Sequence, residues 1–177
     1  MPSRRKLLSI SGIVVVGSTI AGCLSNTVSA ESVQSKTVTV EWDYEGQSYR
    51  GHILRLLSDG ESEITGRVAA EYSQLVSSPD TVTVSEEVRD ELEQEFSDVS
   101  YGVGICGEDL GSDDDFGCRN APTDREDFNT LQFGDQAEAE IINNHITIHD
   151  VEEGDINGWS VDINEFDWSD KHAGHGQ

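Results

Sequence analysis

The chain has 177 residues, with 35 Asp and Glu against 11 Lys and Arg and a formal net charge of −24. That length fits one domain, and the charge excludes nucleic acid as a partner, because binding it requires Lys and Arg to neutralise phosphates. The same sign rules out electrostatic attraction to anionic lipid surfaces.

Residues Ser3 to Cys23 read SRRKLLSISGIVVVGSTIAGC. The apolar-plus-small run from Leu7 to Gly22 is shorter than the roughly 20 residues that cross a bilayer core, so it does not read as a membrane span. Its order is that of an export signal: a basic start (Arg4, Arg5, Lys6), a short apolar stretch, then small residues. Arg4 and Arg5 after Ser3, with Leu7 and Leu8 behind them, resemble the twin-arginine motif, an address read by machinery that exports folded proteins. Ile20, Ala21, Gly22 and Cys23 resemble a lipobox, in which cleavage precedes the cysteine and lipid is attached to its sulfur. The start of the chain is thus similar to that of haloarchaeal twin-arginine-exported lipoproteins; the resemblance covers this segment and does not extend to the mature domain. It implies that Cys23 becomes the first mature residue and that its lipid anchors the protein on the extracellular face of the cell membrane. The alternative is an ordinary secretory signal with a chance cysteine. One saturated chain binds membranes only marginally, so a stable anchor implies a two-chain glyceryl lipid.

Removing residues 1–22 takes away three cations and no anion, leaving about 155 residues, eight cations and a net charge of −27. The acids are spread over the whole length, as in haloarchaeal proteins. Self-repulsion on this scale destabilises a compact state, and molar salt relieves it by shortening the screening length to about 3 Å. An acidic surface is therefore background here, and no single cluster of carboxylates signals a site.

Leu24 to Thr37 is polar, rich in Ser and Thr and without sustained periodicity, so residues 23–37 read as a lipidated cysteine and flexible tether. A single globular domain is expected over 38–170, with 171–177 as a disordered tail. Val38, Val40, Trp42 and Tyr44 alternate with polar residues and mark a half-buried strand. Gly46 and Gln47 turn the chain, and Tyr49–Leu57 returns beside it. The spacing of Ile64, Val68, Tyr72 and Leu75 predicts a helix. Thr81–Val84 is extended, and Ser85 caps a helix over Glu86–Phe96 that places Val88, Leu92 and Phe96 on one face. Val99 to Ile105 alternates as a strand, and Thr123 to Glu126 matches a capping box. Ala137–Ile142 and His145–Asp150 form a hairpin around Asn143 and Asn144, and Trp159, Val161 and Ile163 give a last strand. The expected fold class is α+β: a small, mainly antiparallel β domain with one or two helices. Closure into a five- or six-stranded barrel resembling an OB or SH3-like fold is one arrangement of these strands.

Cys106 and Cys118 are the two cysteines left after lipidation, and an oxidising exterior makes a disulfide their simplest reading. A reduced thiol nucleophile is disfavoured for the same reason. The loop between them crowds Glu108, Asp109, Asp113, Asp114 and Asp115 together. Calcium is the one cofactor this suggests, with Asp109, Asp113 and Asp115 as ligands. The order departs from the EF-hand spacing, and non-specific screening by sodium or potassium is the preferred reading of the crowded loop. His145 and His149 have a zinc-like spacing only on a helix; the β-branched residues between them favour a strand, on which four residues span about 13 Å. His149 remains a ligand-contact candidate. His172 and His175 with Asp170 fall at a Gly-rich terminus that reads as frayed. Trp42 and Trp159 are in phase with apolar neighbours and read as core, whereas Trp168 is flanked by acids and reads as an exposed recognition group.

The only methionine is Met1, which excludes a blue-copper site of the usual kind. No G-x-S-x-G or P-loop motif occurs, and the length is about half that of a two-lobed solute receptor. The reading that remains is a non-catalytic, lipid-anchored module that binds a small ligand or an envelope protein. Its rivals are a small secreted hydrolase using His52, His149 or loop carboxylates, and a structural envelope component. Dialysis into dilute buffer is expected to unfold the domain, read as loss of its far-UV circular dichroism; an unchanged spectrum would contradict adaptation to brine.

Overall fold

The computed structural model describes residues 27–111 and 115–169. Their fold is α+β and mainly antiparallel. A six-stranded sheet is built from β2 (Ser32–Tyr44), β3 (Gln47–Ser58), β4 (Glu63–Ala69), β7 (Asp98–Gly107), β8 (Gly117–Thr123) and β11 (Ser160–Phe166). Its order is β11-β4-β3-β2-β7-β8, and only the β11–β4 pair is parallel. With β11 and β8 at its edges the sheet stays open, so the barrel closure is not adopted. A three-stranded sheet has the order β1-β9-β10, from β1 (Thr27–Ala30), β9 (Gln136–Ile142) and β10 (His145–Glu152). β5 (Val76–Ser78) and β6 (Thr81–Val82) form a small ribbon, and the α-helices are α1 (Glu86–Glu95) and α2 (Arg125–Thr130).

The two tight hairpins follow from residues that tolerate left-handed backbone. Asn143 and Asn144 have φ of 51° and 60°, the combination that matches the twist of the flanking strands. The first hairpin turns at Glu45 and Gly46, with Gln47 already opposite Tyr44. Ser85 caps α1 as expected, its hydroxyl accepting from the Val88 N–H at 3.2 Å. The capping box at α2 does not form. Asp124 is the N-cap, and the Thr123 hydroxyl instead donates to the Ile146 carbonyl at 2.8 Å.

Two expected elements are also replaced. The segment expected as a tether is strand from Thr27 onward: β1 pairs with β9, and the first six residues of β2 lie between β3 and β7 or against β7. An extra residue at Gln34 hides the pattern, since Val33 faces Ile105 and Lys36 faces Val103 only because that bulge shifts the phase. The helix expected across Ile64–Val76 is β4 followed by a 3-10 turn, Ala70–Leu75. Ile64, Gly66 and Val68 share the inward face just as well at a period of two. Gly66 settles it: its φ is +149°, and a Cβ there would lie 2.2 Å from the Arg55 carbonyl.

One face of the large sheet is buried under α1, α2 and the small sheet, in a single core holding Val38, Val40, Trp42, Leu54, Leu56, Ile64, Leu92, Phe128 and Ile146. Lys36 sits fully buried within it. Its Nζ donates to the carbonyls of Val82 (2.9 Å), Phe128 (2.6 Å) and Leu131 (2.5 Å) and lies 4.3 Å from the Phe128 ring centroid. An ammonium has three donors, and here each has a carbonyl. Burial drives the Lys36 pKa well below 10.5, while the charge of buried Asp135 opposes that shift.

Around this centre, side-chain amides take the place of a strand. Gln132 Oε1 accepts from the Val82 N–H at 2.8 Å, Asn129 Oδ1 accepts from the Val84 N–H at 2.7 Å, and Asn129 Nδ2 donates to the Val84 carbonyl at 3.0 Å. Arg125 adds a donor to that carbonyl at 2.8 Å.

Replacing Lys36 by Met keeps the stem and strips three buried carbonyls of their donor, so Lys36→Met is expected to cost about 3 kcal/mol, measured by denaturant unfolding in brine. Between the lowered native pKa and 10.5 the unfolded chain holds the proton and the native state does not, so stability due to this group rises with pH across that window. The variant should lose that slope; equal stability and an identical pH profile would show that the ammonium holds nothing in place.

Candidate functional site

Among the described residues no element packs over the centre of the other face of the six-stranded sheet, which forms a groove of about 520 Å³ along β2 and β7. Paired residues share a face, so the register assigns its floor and walls. Ser35 lies opposite Gly104, Thr37 opposite Gly102 and Thr39 opposite Ser100. On one side β3 contributes Leu57, Arg55 and His52; on the other β8 contributes Asn120 and Pro122. The groove exists because the floor residues are small. A Cβ at Gly104 would lie 2.2 Å from Asn120 Oδ1 and 2.4 Å from Ser35 Oγ, and one at Gly102 would lie 2.7 Å from Thr37 Oγ1.

Most polar atoms of the floor are already oriented. The Ser35 hydroxyl donates to Asn120 Oδ1 at 2.6 Å, and Thr39 Oγ1 and His52 Nδ1 are 2.8 Å apart. None of the residues lining the groove is Asp or Glu, although one residue in five of the chain is acidic. Arg55 makes no ion pair with any described residue. Arg50, at one end, is paired loosely with Glu41 at 3.7 Å, both partly exposed, a contact worth little in water.

His52 and Thr39 meet the distance for a hydroxyl activated by a base. Thr39, however, is buried in the middle of the sheet with β3 on one side and β7 on the other. The β2–β3 ladder shifts register between Val38 and Thr39, where Ile53 is left without a paired residue.

The residues singled out from the sequence are scattered. Trp168 is buried, 2 % exposed, and is not a surface recognition group. Its ring packs 5.3 Å from Trp42, 6.0 Å from Phe96 and 6.1 Å from Phe166, and its backbone N–H donates to the Glu71 carboxylate at 3.2 Å. Bare Gly51 makes room for it, since a Cβ there would lie 3.1 Å from the indole. Trp42 is buried as expected, and Trp159 is half-buried against the core.

His149 is the extra residue of a bulge in β10, exposed beside a shallow depression shared with Asp127 and Asp150, with Nε2 3.6 Å from Glu140. His145 lies 3.8 Å from Asp124 instead, so the two histidines serve different partners. Cys106 and Cys118 are directly opposite on β7 and β8 and form the expected disulfide, with Cα atoms 4.1 Å apart. The bridge closes a short loop, a constraint of roughly 3 kcal/mol on the unfolded chain.

Asp109 is exposed and its carboxylate lies 3.4 Å from the Ser29 N–H, and Asp115 is exposed near Gly111. Asp113 lies outside the described residues, as do Arg4, Arg5, Cys23, Asp170, His172 and His175. Among the described residues no group of three or more His, Cys, Asp or Glu could hold a metal ion, and no helix is long and apolar enough to cross a membrane.

Sequence reasoning missed the groove. Its polar floor is spread over three strands, and Ser, Thr and Gly carry no chemical motif. The signal present was the in-phase set Ser35, Thr37 and Thr39 opposite the glycine-spaced run Gly102, Val103, Gly104. Comparison of the chain with protein-family models, curated proteins and solved structures finds no match.

Truncation of a ring this enclosed opens a large cavity, so Trp168→Ala is expected to destabilise the domain by about 3–5 kcal/mol, with loss of near-UV circular dichroism from the aromatic cluster. A variant with wild-type stability and altered ligand or partner capture would return Trp168 to a recognition role.

Proposed function

We propose that the protein is a lipid-anchored extracytoplasmic binding module of a salt-loving archaeon, without catalytic activity of its own. The observation that carries the binding role is the acid-free polar groove on the uncovered face of the large sheet. In a chain where every surface cluster is acidic by default, a floor of hydroxyls and amides with arginine at its wall is a local departure. It costs the fold glycine at two strand positions, where glycine weakens a sheet. The anchoring role rests on Arg4, Arg5 and Cys23 and on their resemblance to a twin-arginine signal with a lipobox.

The two roles are linked by a short reach. Three residues separate Cys23 from Thr27, the first residue of β1, and that length of chain extends at most about 14 Å. A lipid on Cys23 would hold the domain against the bilayer. The ligand or partner is then one found at the membrane surface or diffusing beside it.

Mass spectrometry of protein from membranes is expected to find a chain beginning at Cys23 and bearing a two-chain glyceryl lipid, and Cys23→Ser is expected to release the domain. An unmodified full-length chain in the cytosol would overturn the anchor. For the binding role, a photocrosslinking residue at Pro122, on the groove rim, should yield an adduct in cells kept in brine, and one at Glu91 on α1 should not. Equal labelling at both positions, or none at either, would remove the groove from the function.

A further inference from the structure

Among the described residues, arginine gathers on the outer face of the large sheet. Seven cations fall among the described residues; Lys36 is buried, and Arg89 and Arg125 bond to Asp90 and Val84 beside the helices. Of the remaining four, Arg50, Arg55 and Arg67 all lie on the outer face of β3 and β4. Arg55 and Arg67 are directly opposite one another in the ladder, a like-charge pairing that destabilises a sheet. Neither makes an ion pair with a described residue, and Arg67 lies over the Phe166 ring at 5.3 Å. A chain with 35 acids has ample means to neutralise such a pair and does not do so here.

We propose that the groove binds a polyhydroxylated carboxylate, a sugar acid, with Arg55 taking the carboxylate and the floor taking the hydroxyls. A guanidinium presents its donors as a planar fork that matches a carboxylate, and this holds in contact where long-range attraction fails. Sugar hydroxyls both donate and accept, and so do the Thr37 hydroxyl and the Asn120 amide that line the groove. The volume, about 520 Å³, falls within the range of small-molecule sites. This rests on the binding role proposed above and narrows it. In molar salt the screening length is about 3 Å, so the anionic body does not repel an anionic ligand from a site whose own lining carries no acid.

The test is calorimetric titration of the full chain in molar potassium chloride with gluconate, glucose and inorganic phosphate as probes. Saturable heat is expected with gluconate and much less with the other two. Arg55→Gln should weaken gluconate binding by about tenfold or more. Arg119→Gln removes an equal charge from β8 at a position opposite Ile105, off the groove, and should leave the affinity unchanged; thermal melts of both variants check that each is folded. Asn120→Ala should weaken gluconate and leave phosphate as it was. Equal affinity for glucose and gluconate would overturn the carboxylate assignment while leaving the groove a binding site. Phosphate binding as tight as gluconate would overturn the sugar part. No heat with any probe would overturn the inference, and adduct formation at Pro122 then decides whether the groove binds something else.

Discussion

The Lys36 ammonium and its three carbonyls hold the two halves of this domain together. Lys36 belongs to the central strand of the large sheet, whereas Val82 belongs to the β5–β6 ribbon and Phe128 and Leu131 to α2 and its end. The last carbonyls of a helix have no partner within it, so α2 reaches the core with a need that an apolar neighbour could not meet. Desolvating an ammonium costs several kcal/mol, and three good acceptors, a ring face and nearby Asp135 offset that cost. The carboxylate of Asp135 is held in turn by the N–H groups of Gln132 and Gly154 at 2.8 and 3.0 Å. Gln132 and Asn129 then bond the backbone of Val82 and Val84 from the side, which finishes a sheet edge without adding a strand. A buried polar network is acceptable when its members are satisfied, and its directionality fixes how the helical layer sits on the sheet.

That docking uses only one face of the sheet. No described element covers the opposite face, and its floor is made of short polar side chains instead of a second core. Ser35 and Thr39 are nevertheless buried, because the walls from β3 and β8 rise above a floor with no side chains at Gly102 and Gly104. The groove is thus a by-product of the sheet's asymmetry that has been furnished with oriented donors and acceptors. Aromatic mass is placed elsewhere: Trp42, Phe96 and Trp168 close the far end of the buried face.

Regular alternation and turn chemistry made much of this readable from the sequence. β3, α1, β7, β9, β10 and β11 stand close to where periodicity, the Ser85 cap and the Asn143–Asn144 pair put them. The failures have a common cause, which is that one local irregularity defeats a period. The bulge at Gln34 broke the phase of β2 and made a core strand look like a tether, with Lys36, one of two lysines after Lys6, concealed in it. Ile64, Val68, Tyr72 and Leu75 fit a helix because β4 and the 3-10 turn happen to abut at helical spacing. Trp168 lies just beyond the last strand, where no period applies, and its acidic neighbours reflect the whole surface and not its own environment. The groove was unreadable for a different reason: it depends on which strands neighbour each other, and β2 and β7 are far apart in the chain.

The acidic background also determines which features carry information. With charges this dense, carboxylates near one another are uninformative, and what distinguishes a position is a missing acid or a cation without an ion-pair partner among the described residues. Two such positions emerge, and they differ in kind. At Lys36 the cation is buried and saturated by carbonyls, so its work is structural and it has nothing left to offer a ligand. At Arg55 the cation is exposed, faces Arg67 across the ladder and overlooks a floor of polar groups, so its hydrogen-bonding capacity remains to be used. Molar salt would sharpen that contrast, since screening removes the long-range attraction of the surrounding acids for Arg55 and leaves only contacts at hydrogen-bond distance to distinguish one anion from another.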